Sequence, residues 1–156
     1  MSLNETLTIP ADLDAWLRET RHMIHVNPEL MCEEWKTSEL VQKHLTEVGV
    51  SFRKGVGGDG RPLYMDPEIL AKSGIRTKPT TGGTGVLAEI TGTRGKGPGK
   101  CVILRADMDA LPIEEANDVP YKSREPGVMH ACGHDVHTTI LMGVAEVLGS
   151  MRDRFD

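Results

Sequence analysis

A short stretch rich in metal-binding side chains lies directly before a predicted helix, and this pairing restricts the folds that the chain can adopt. Residues 129–137 read Met-His-Ala-Cys-Gly-His-Asp-Val-His and combine a thiol, imidazoles and a carboxylate. These are the groups that bind cations such as Zn²⁺. Apolar residues then recur at helical spacing from Ile140 to Met151. The fold must therefore hold the polar stretch at a helix N-terminus, where free N–H groups and the helix dipole favour an anionic ligand such as a thiolate.

The stretch does not form a zinc knuckle of its own. Such knuckles take their ligands from separated pairs of Cys or His, whereas Cys32 and Cys101 each stand alone. The remaining ligands are expected elsewhere in the fold or beyond the end of this chain. Two other interpretations stay open: a buried, purely structural Cys132 among hydrogen-bonded histidines, and a reactive Cys132 with His134 or His137 as its base.

Composition and charge argue against several function classes. The 156 residues are 38% hydrophobic and carry a formal net charge of −5, which fits one globular domain without affinity for nucleic acid or anionic membranes. No apolar run is long enough to span a bilayer, and the first residues do not resemble a signal peptide. An odd number of widely spaced cysteines suits a reducing compartment. We therefore expect a cytoplasmic protein whose partners are small molecules.

Helical and strand patterns alternate along the chain. Two helices are predicted near the start, with boundaries at Pro10, Asn27-Pro28, Glu33 or Glu34, and Gly49. Three apolar runs are predicted to be strands, the last of them buried on both faces: Val50 to Phe52, Val86 to Ile90 and Val102 to Leu104. This alternation predicts an α/β fold, with helices on both faces of a sheet. Such folds place their sites just beyond the carboxyl ends of strands.

Several other polar residues are expected to be ordinary surface groups. His22, His25 and His44 fall at polar positions of the first two helices, so we expect solvated side chains there. Glu114 and Glu115 are adjacent and precede the metal-binding stretch, which favours a solvated turn.

The segment from Asp59 to Thr81 fits the pattern less well. It contains Pro62, Pro67 and Pro79 and interrupts what is otherwise a short connection between two predicted strands. We expect a surface insertion, with an interface element or a flap as alternatives, and Met65 to Ser73 is predicted to form a short helix within it.

Two blocks of sequence resemble a known enzyme family. Arg-Ala-Asp-Met-Asp-Ala-Leu-Pro-Ile-Glu-Glu at 105–115 and Met-His-Ala-Cys-Gly-His-Asp-Val-His-Thr-Thr at 129–139 are similar to the metal-dependent amidohydrolase and carboxypeptidase family that includes hippurate hydrolase, N-acyl-amino-acid deacetylases and indole-acetyl-amino-acid hydrolases. Residues 21–30 and 83–90 resemble its opening helix and the strand before the catalytic block. The resemblance covers nearly the whole chain outside 59–81.

The resemblance implies a fold and a cofactor. It implies that residues 1–156 are the N-terminal part of a two-metal catalytic domain, a mixed sheet with helices on both faces, ending before a smaller lid or dimerisation domain. Cys132 would bind both metals and His134 one of them, with Zn, Mn, Co or Ni as the divalent ions. Four further residues are candidates for groups that orient these ligands: Asp107, Asp109, Asp135 and His137.

The resemblance also implies a reaction, which is metal-dependent hydrolysis of the amide bond of N-acyl amino acids or similar small amides. The family's general base and further ligands come from a later Glu-Glu pair and later histidines, and nothing follows Asp156 here. We therefore expect this chain alone to be inactive, and no residue in it is a certain catalytic residue. The alternative is a non-catalytic metal-binding or assembly module derived from such an enzyme. Formation of a homo-oligomer stays open.

Overall fold

The computed structural model describes residues 9–56, 83–95 and 100–156. Its regular elements are helices α1 (Ala11–Val26), α2 (Trp35–Glu47) and α3 (His134–Ser150), strands β1 (Ser51–Val56) and β2 (Gly85–Glu89), and a 3₁₀ turn at Arg152–Arg154. The two strands pair antiparallel, with Ser51 opposite Glu89 and Phe52 opposite Ala88. The predicted insertion at 59–81, including the helix expected at Met65 to Ser73, lies outside the described residues.

Local signals set the helix boundaries as predicted. Pro10 is the N-cap of α1 and Asn27 its C-cap, since proline fits the start of a helix and Asn27-Pro28 cannot continue it. Helix α2 begins one residue after Glu34. Gly49 follows α2 with φ +69°, the left-handed conformation that glycine adopts without strain. These predictions are confirmed.

The apolar core lies between α2, the β1–β2 pair and α3. Its centre is formed by Leu45, Val50 and Ala145, which are at most 8% exposed. Partly buried apolar side chains surround this centre: Val41, Val48, Phe52, Val86, Ala88 and Ile90. Burial of such side chains removes apolar surface from water and fixes α3 against the hairpin.

Helix α1 packs against α3 at close range. A Cβ added to Gly143 would lie 2.9 Å from Leu17 Cδ2, so the glycine makes room for the α1 side chain. Leu13 and Ile24 are buried on the same helix. The two helices that lie farthest apart in sequence are thus brought together.

Residues 100–133 lead into α3, and backbone pairing ties them to the start of the chain and to one another. Ala110 pairs in parallel with Leu30, and Leu111 pairs antiparallel with Met129. The α/β class is confirmed. Within the described residues, however, the sheet consists of the two antiparallel strands, and parallel pairing is limited to the Leu30–Ala110 bridge. The pairing at Leu111 places residues 107–111 beside the stretch that leads into α3.

The prediction of a strand buried on both faces at Val102 to Leu104 was wrong. These residues belong to no strand of the structure, and the side chains of Val102, Ile103 and Leu104 are 79%, 85% and 54% exposed. A strand is buried on both faces only when neighbouring strands and covering helices are present. Among the described residues, this segment has no paired strand on either edge. It borders a cavity of about 320 Å³, whose apolar lining includes Leu87 and Leu141.

The helices described by the structure include none that is both long and apolar enough to cross a membrane.

Exposed apolar side chains on an unpaired segment favour self-association, because both the backbone groups and the apolar surface are open to a partner. We expect the chain to associate with rising concentration and Ile103→Lys to reduce that association. The control is Ile113→Lys, which makes the same change at a side chain that is 45% exposed elsewhere on the chain. Light scattering across a concentration series measures the effect. Equal association of the wild type and both variants would contradict the prediction.

Candidate metal centre

A tight turn at the start of α3 carries the two predicted metal ligands. Gly133 has φ +82° and is the N-cap of α3, and its carbonyl accepts hydrogen bonds from the N–H groups of Val136 and His137 at 3.0 and 3.1 Å. Cys132 precedes this glycine and His134 follows it. The turn thus presents both side chains at the N-terminus of the helix, as the sequence predicted.

His134 is held by Asp109. Its Nδ1 lies 2.9 Å from the Asp109 carbonyl oxygen and 3.0 Å from Asp109 Oδ1. Both oxygens are acceptors, so Nδ1 donates to them and Nε2 is the nitrogen left for a metal. A metal-binding imidazole is normally oriented in this way, through its second nitrogen. Asp109 therefore lies in the position of a group that orients a metal-binding histidine.

Cys132 is an exposed free thiol, and nothing in the described structure covers it. His137 is also exposed and lies one turn along α3, with its ring centroid 5.6 Å from that of His134. Cys132, His134 and His137 are therefore all placed at the first turn of α3, and two of them are open to solvent. Their thiol and imidazole groups are of the type that binds Zn²⁺, Co²⁺ or Ni²⁺.

Asp107 is engaged differently from Asp109. Its carboxylate forms an ion pair with the Arg105 guanidinium, and its carbonyl accepts a hydrogen bond of 2.9 Å from Thr138 Oγ1. In the part of the chain that the structure describes, no three Cys, His, Asp or Glu side chains converge closely enough to hold a metal ion. The described residues thus present part of a coordination sphere.

Asp135 is buried behind the turn. It has no exposed surface, and its Oδ2 lies 2.8 Å from His25 Nδ1 and 2.8 Å from Arg21 Nε, both on α1. The Arg21 contact is an ion pair and not a hydrogen bond, because the Nε–H group does not point at the carboxylate oxygen. The structure therefore brings Asp135 to α1, whereas the carboxylate at His134 belongs to Asp109.

The expectation that His25 and Glu115 are solvated was wrong. Each is 3% exposed, and His25 Nε2 lies 3.2 Å from Glu115 Oε1. Glu115 also accepts hydrogen bonds from the Ser123 backbone N–H at 2.7 Å and from Asn117 Nδ2 at 3.2 Å. Burial of these groups is tolerated because each charge meets an opposite charge or a donor. Glu114 is exposed, as predicted.

The same correction applies to His44. It is 4% exposed, stacks on Trp16 with ring centroids 4.2 Å apart, and places Nε2 at 3.2 Å from the Met142 carbonyl oxygen. His22 is partly buried and stacks on Tyr121 at 3.9 Å. The faces of α1 and α2 that were predicted to be solvated are therefore covered by α3 and by the irregular segment before it.

Sequence reasoning missed the group that buried His25, Glu115 and Asp135 form with the partly exposed Arg21. One sequence signal pointed to this group. Arg21 and His25 are four residues apart and therefore share a face of α1, which also approaches buried Ile24. Their carboxylate partners lie 90 and 110 residues from His25, and no local pattern shows such pairing.

Burial and charge shift two titrations near this group. Burial alone would raise the pKa of Glu115, but the hydrogen bonds from the Ser123 N–H and from His25 outweigh it and leave the pKa below its ordinary value. Burial lowers the pKa of His130 to about 4, against the opposing effect of Asp135. His130 is therefore neutral at pH 7.

Comparison with known proteins points to one family. The sequence pattern of peptidase family M20/M25/M40 matches residues 103–156, which include the Asp107–Asp109 segment and the Cys132–His134 turn. A solved dinuclear metal-binding peptidase of the M20 family from Bacillus subtilis superposes with a TM-score of 0.68 and is 32% identical, covering 92% of this chain. The chain thus resembles the M20/M25/M40 family in sequence and in fold.

Curated relatives of this chain have related names. Thermostable carboxypeptidase 2 of Saccharolobus solfataricus is 40% identical over 142 residues, covering 91% of this chain. IAA-amino acid hydrolase ILR1-like 6 of Arabidopsis thaliana is 40% identical over the same length. The chain spans 29% and 24% of these two relatives and 33% of the solved B. subtilis peptidase. The matches therefore show an enzyme family of metal-binding hydrolases.

The lowered pKa of Glu115 makes stability depend on pH. A carboxyl group with a depressed pKa in the folded state contributes stability above the unfolded value, about 4.5, and loses it as pH falls through the folded pKa. We expect Glu115→Gln to reduce the free energy of unfolding at pH 7 by on the order of 2 kcal/mol, as for hydrogen bonds to charged groups. The difference should shrink below pH 4.5.

Urea unfolding followed by circular dichroism from pH 7 to pH 3 measures this difference. The control is Glu114→Gln, which removes the same charge from the exposed neighbour. A loss from Glu115→Gln that stays the same at every pH would contradict the assignment.

Proposed function

We propose that this chain supplies Cys132 and His134 to the divalent metal centre of a hydrolase that cleaves the amide bond of N-acyl amino acids or similar small amides. The observation that carries the proposal is the turn at Gly133, where Cys132 is exposed and His134 is held through Nδ1 by Asp109. The family match supports a hydrolase, and the names of the relatives, a carboxypeptidase and an IAA-amino acid hydrolase, support an amide substrate.

The donor set fits a divalent metal. Thiolate and imidazole are ligands of such cations, and a thiolate can bind two cations at once. Cys132 is proposed to bind both ions of the complete centre and His134 one of them, through Nε2. Zn²⁺, Mn²⁺, Co²⁺ and Ni²⁺ are the proposed ions. When bound, two such ions polarise an amide carbonyl and lower the pKa of a nearby water.

The chain's own residues then have distinct proposed roles. Asp109 fixes the tautomer and the plane of the His134 ring. His137, exposed and 5.6 Å from that ring, is placed to contact a substrate or to support a further ligand. Asp107 is tied to Arg105, and its carbonyl anchors Thr138 on α3, so its proposed role is to position the irregular segment that carries Asp109.

Among the described residues no three metal-binding groups converge, so the remaining ligands and the general base are proposed to come from outside them. For this reason the chain alone is expected to be inactive. The same observation favours a second candidate, a non-catalytic metal-binding or assembly module. A cytoplasmic location is supported by the three cysteines, all free of disulfides. The proposed partner is a small-molecule substrate, and self-association is compatible with either candidate.

Removal of a metal ligand should lower metal content. We expect Cys132→Ala and His134→Ala each to weaken Co²⁺ or Zn²⁺ binding by at least tenfold, because neither alanine replaces a direct bond. Metal content after dialysis measures this by elemental analysis. Cys101→Ala is the control, since it removes another exposed free thiol. Unchanged stoichiometry in both ligand variants would overturn the assignment.

Activity of the isolated chain tests whether its own residues complete a catalytic centre. Incubation of the isolated chain with hippurate and N-acetyl amino acids, with Zn²⁺, Mn²⁺, Co²⁺ or Ni²⁺ present, should release no amino acid above the blank, because a missing general base alone costs roughly 10² to 10⁴ in rate. Turnover that disappears in Cys132→Ala would show instead that a residue of this chain serves as the base.

A further inference from the structure

We propose that His25 is a positioning residue for the metal-binding turn: through Asp135 it fixes the first turn of α3 and thereby the relative placement of Cys132 and His134. The inference rests on the proposed metal centre and adds a residue from a distant helix to it. His25 touches neither proposed ligand, so its effect passes through the backbone.

Asp135 is the mechanical link in this arrangement. It directly follows His134, has no exposed surface, and receives His25 Nδ1 at 2.8 Å. Its backbone carbonyl accepts a hydrogen bond of 2.7 Å from Thr139 Oγ1, one turn along α3. A shift of the Asp135 side chain would therefore move the backbone that carries the two proposed ligands.

His25 is itself held from the other side. Its Nε2 faces Glu115 at 3.2 Å, and Glu115 is fixed by the Ser123 N–H at 2.7 Å. Tyr121 closes the group, with its ring edge-on to His25 and the Arg21 guanidinium 4.7 Å above it. Contacts from α1 and from residues 115–123 thus fix the imidazole that lies against Asp135.

Contacts to carboxylates surround His25 on both sides. Both of its ring nitrogens face carboxylate oxygens, and the Arg21 guanidinium adds a second contact to Asp135. Such a paired group resists displacement, because separating any member would leave a buried charge without a partner.

Two separate contacts therefore fix the ring orientation and the backbone position of His134. Asp109 sets the orientation of the ring, and the His25–Asp135 pair sets the position of the backbone. Metal sites need placement within a few tenths of an ångström, and loss of supporting residues typically costs 10- to 100-fold in metal affinity.

The test compares two buried histidines. His25→Gln should raise the Co²⁺ dissociation constant by about 10- to 100-fold, read from the thiolate-to-cobalt charge-transfer absorption. His44→Gln is the matched control, because His44 is equally buried but contacts Met142 in the middle of α3. It should lower the melting temperature and change the dissociation constant less than about threefold. Equal weakening by both variants, well below their melting temperatures, would overturn the proposal.

A second variant keeps the test decisive if His25→Gln does not fold. Arg21→Gln changes a partly exposed side chain that also contacts Asp135. It should weaken Co²⁺ binding in the same direction but less. Unchanged affinity in this variant would then count against the positioning role.

Amide hydrogen exchange without metal separates this proposal from the proposed function. In His25→Gln, exchange should accelerate at residues 130–137 more than elsewhere on α3, and in His44→Gln it should not. A wild-type chain that binds no Co²⁺ would overturn the metal centre, and the exchange pattern would still show whether His25 fixes the turn. Uniform acceleration across α3 in both variants would overturn the positioning role.

Discussion

The structure depends on a carboxylate that is completely removed from water. Asp135 has no exposed surface, and an isolated charge in such a place would be strongly disfavoured. It is stable there because the Arg21 guanidinium and the His25 imidazole each lie 2.8 Å from Oδ2. Removal of one partner from a buried pair of this kind typically costs roughly 3–5 kcal/mol. The first turn of α3 is therefore fixed to α1 more firmly than apolar contacts alone would achieve.

The proposed metal-binding turn follows from this anchor. With Asp135 directed inward to α1, Gly133 reverses the chain in the left-handed conformation, and Cys132 stays exposed beside it. His134 turns toward the segment at 107–111, which is held in place by the Leu111–Met129 pairing. One side of α3 thus provides stability while its N-terminus presents ligands. Replacement of Gly133 by any residue with a side chain would strain this turn, because φ is +82°.

Much of this could be predicted from the sequence where the signal is local. Pro10 and Gly49 mark helix ends by their own backbone preferences, and Cys132 and His134 stand out by their chemistry. His25 was misjudged, because its partners Asp135 and Glu115 lie far along the chain and a helical pattern shows only that it is polar. Val102 to Leu104 was misjudged for a related reason. An apolar run predicts that a segment can be buried, but the neighbours that would bury it are set by tertiary pairing.

Cys132 and His134 are proposed to bind one metal ion together, and X-ray absorption at the zinc edge of the Zn²⁺-loaded chain detects both kinds of ligand. We expect a sulfur scatterer at about 2.3 Å and imidazole nitrogen at about 2.0 Å. The sulfur contribution should be lost in Cys132→Ala, and the imidazole contribution should be reduced in His134→Ala. A first shell of oxygen and nitrogen alone in the unaltered chain, identical in both variants, would contradict the claim.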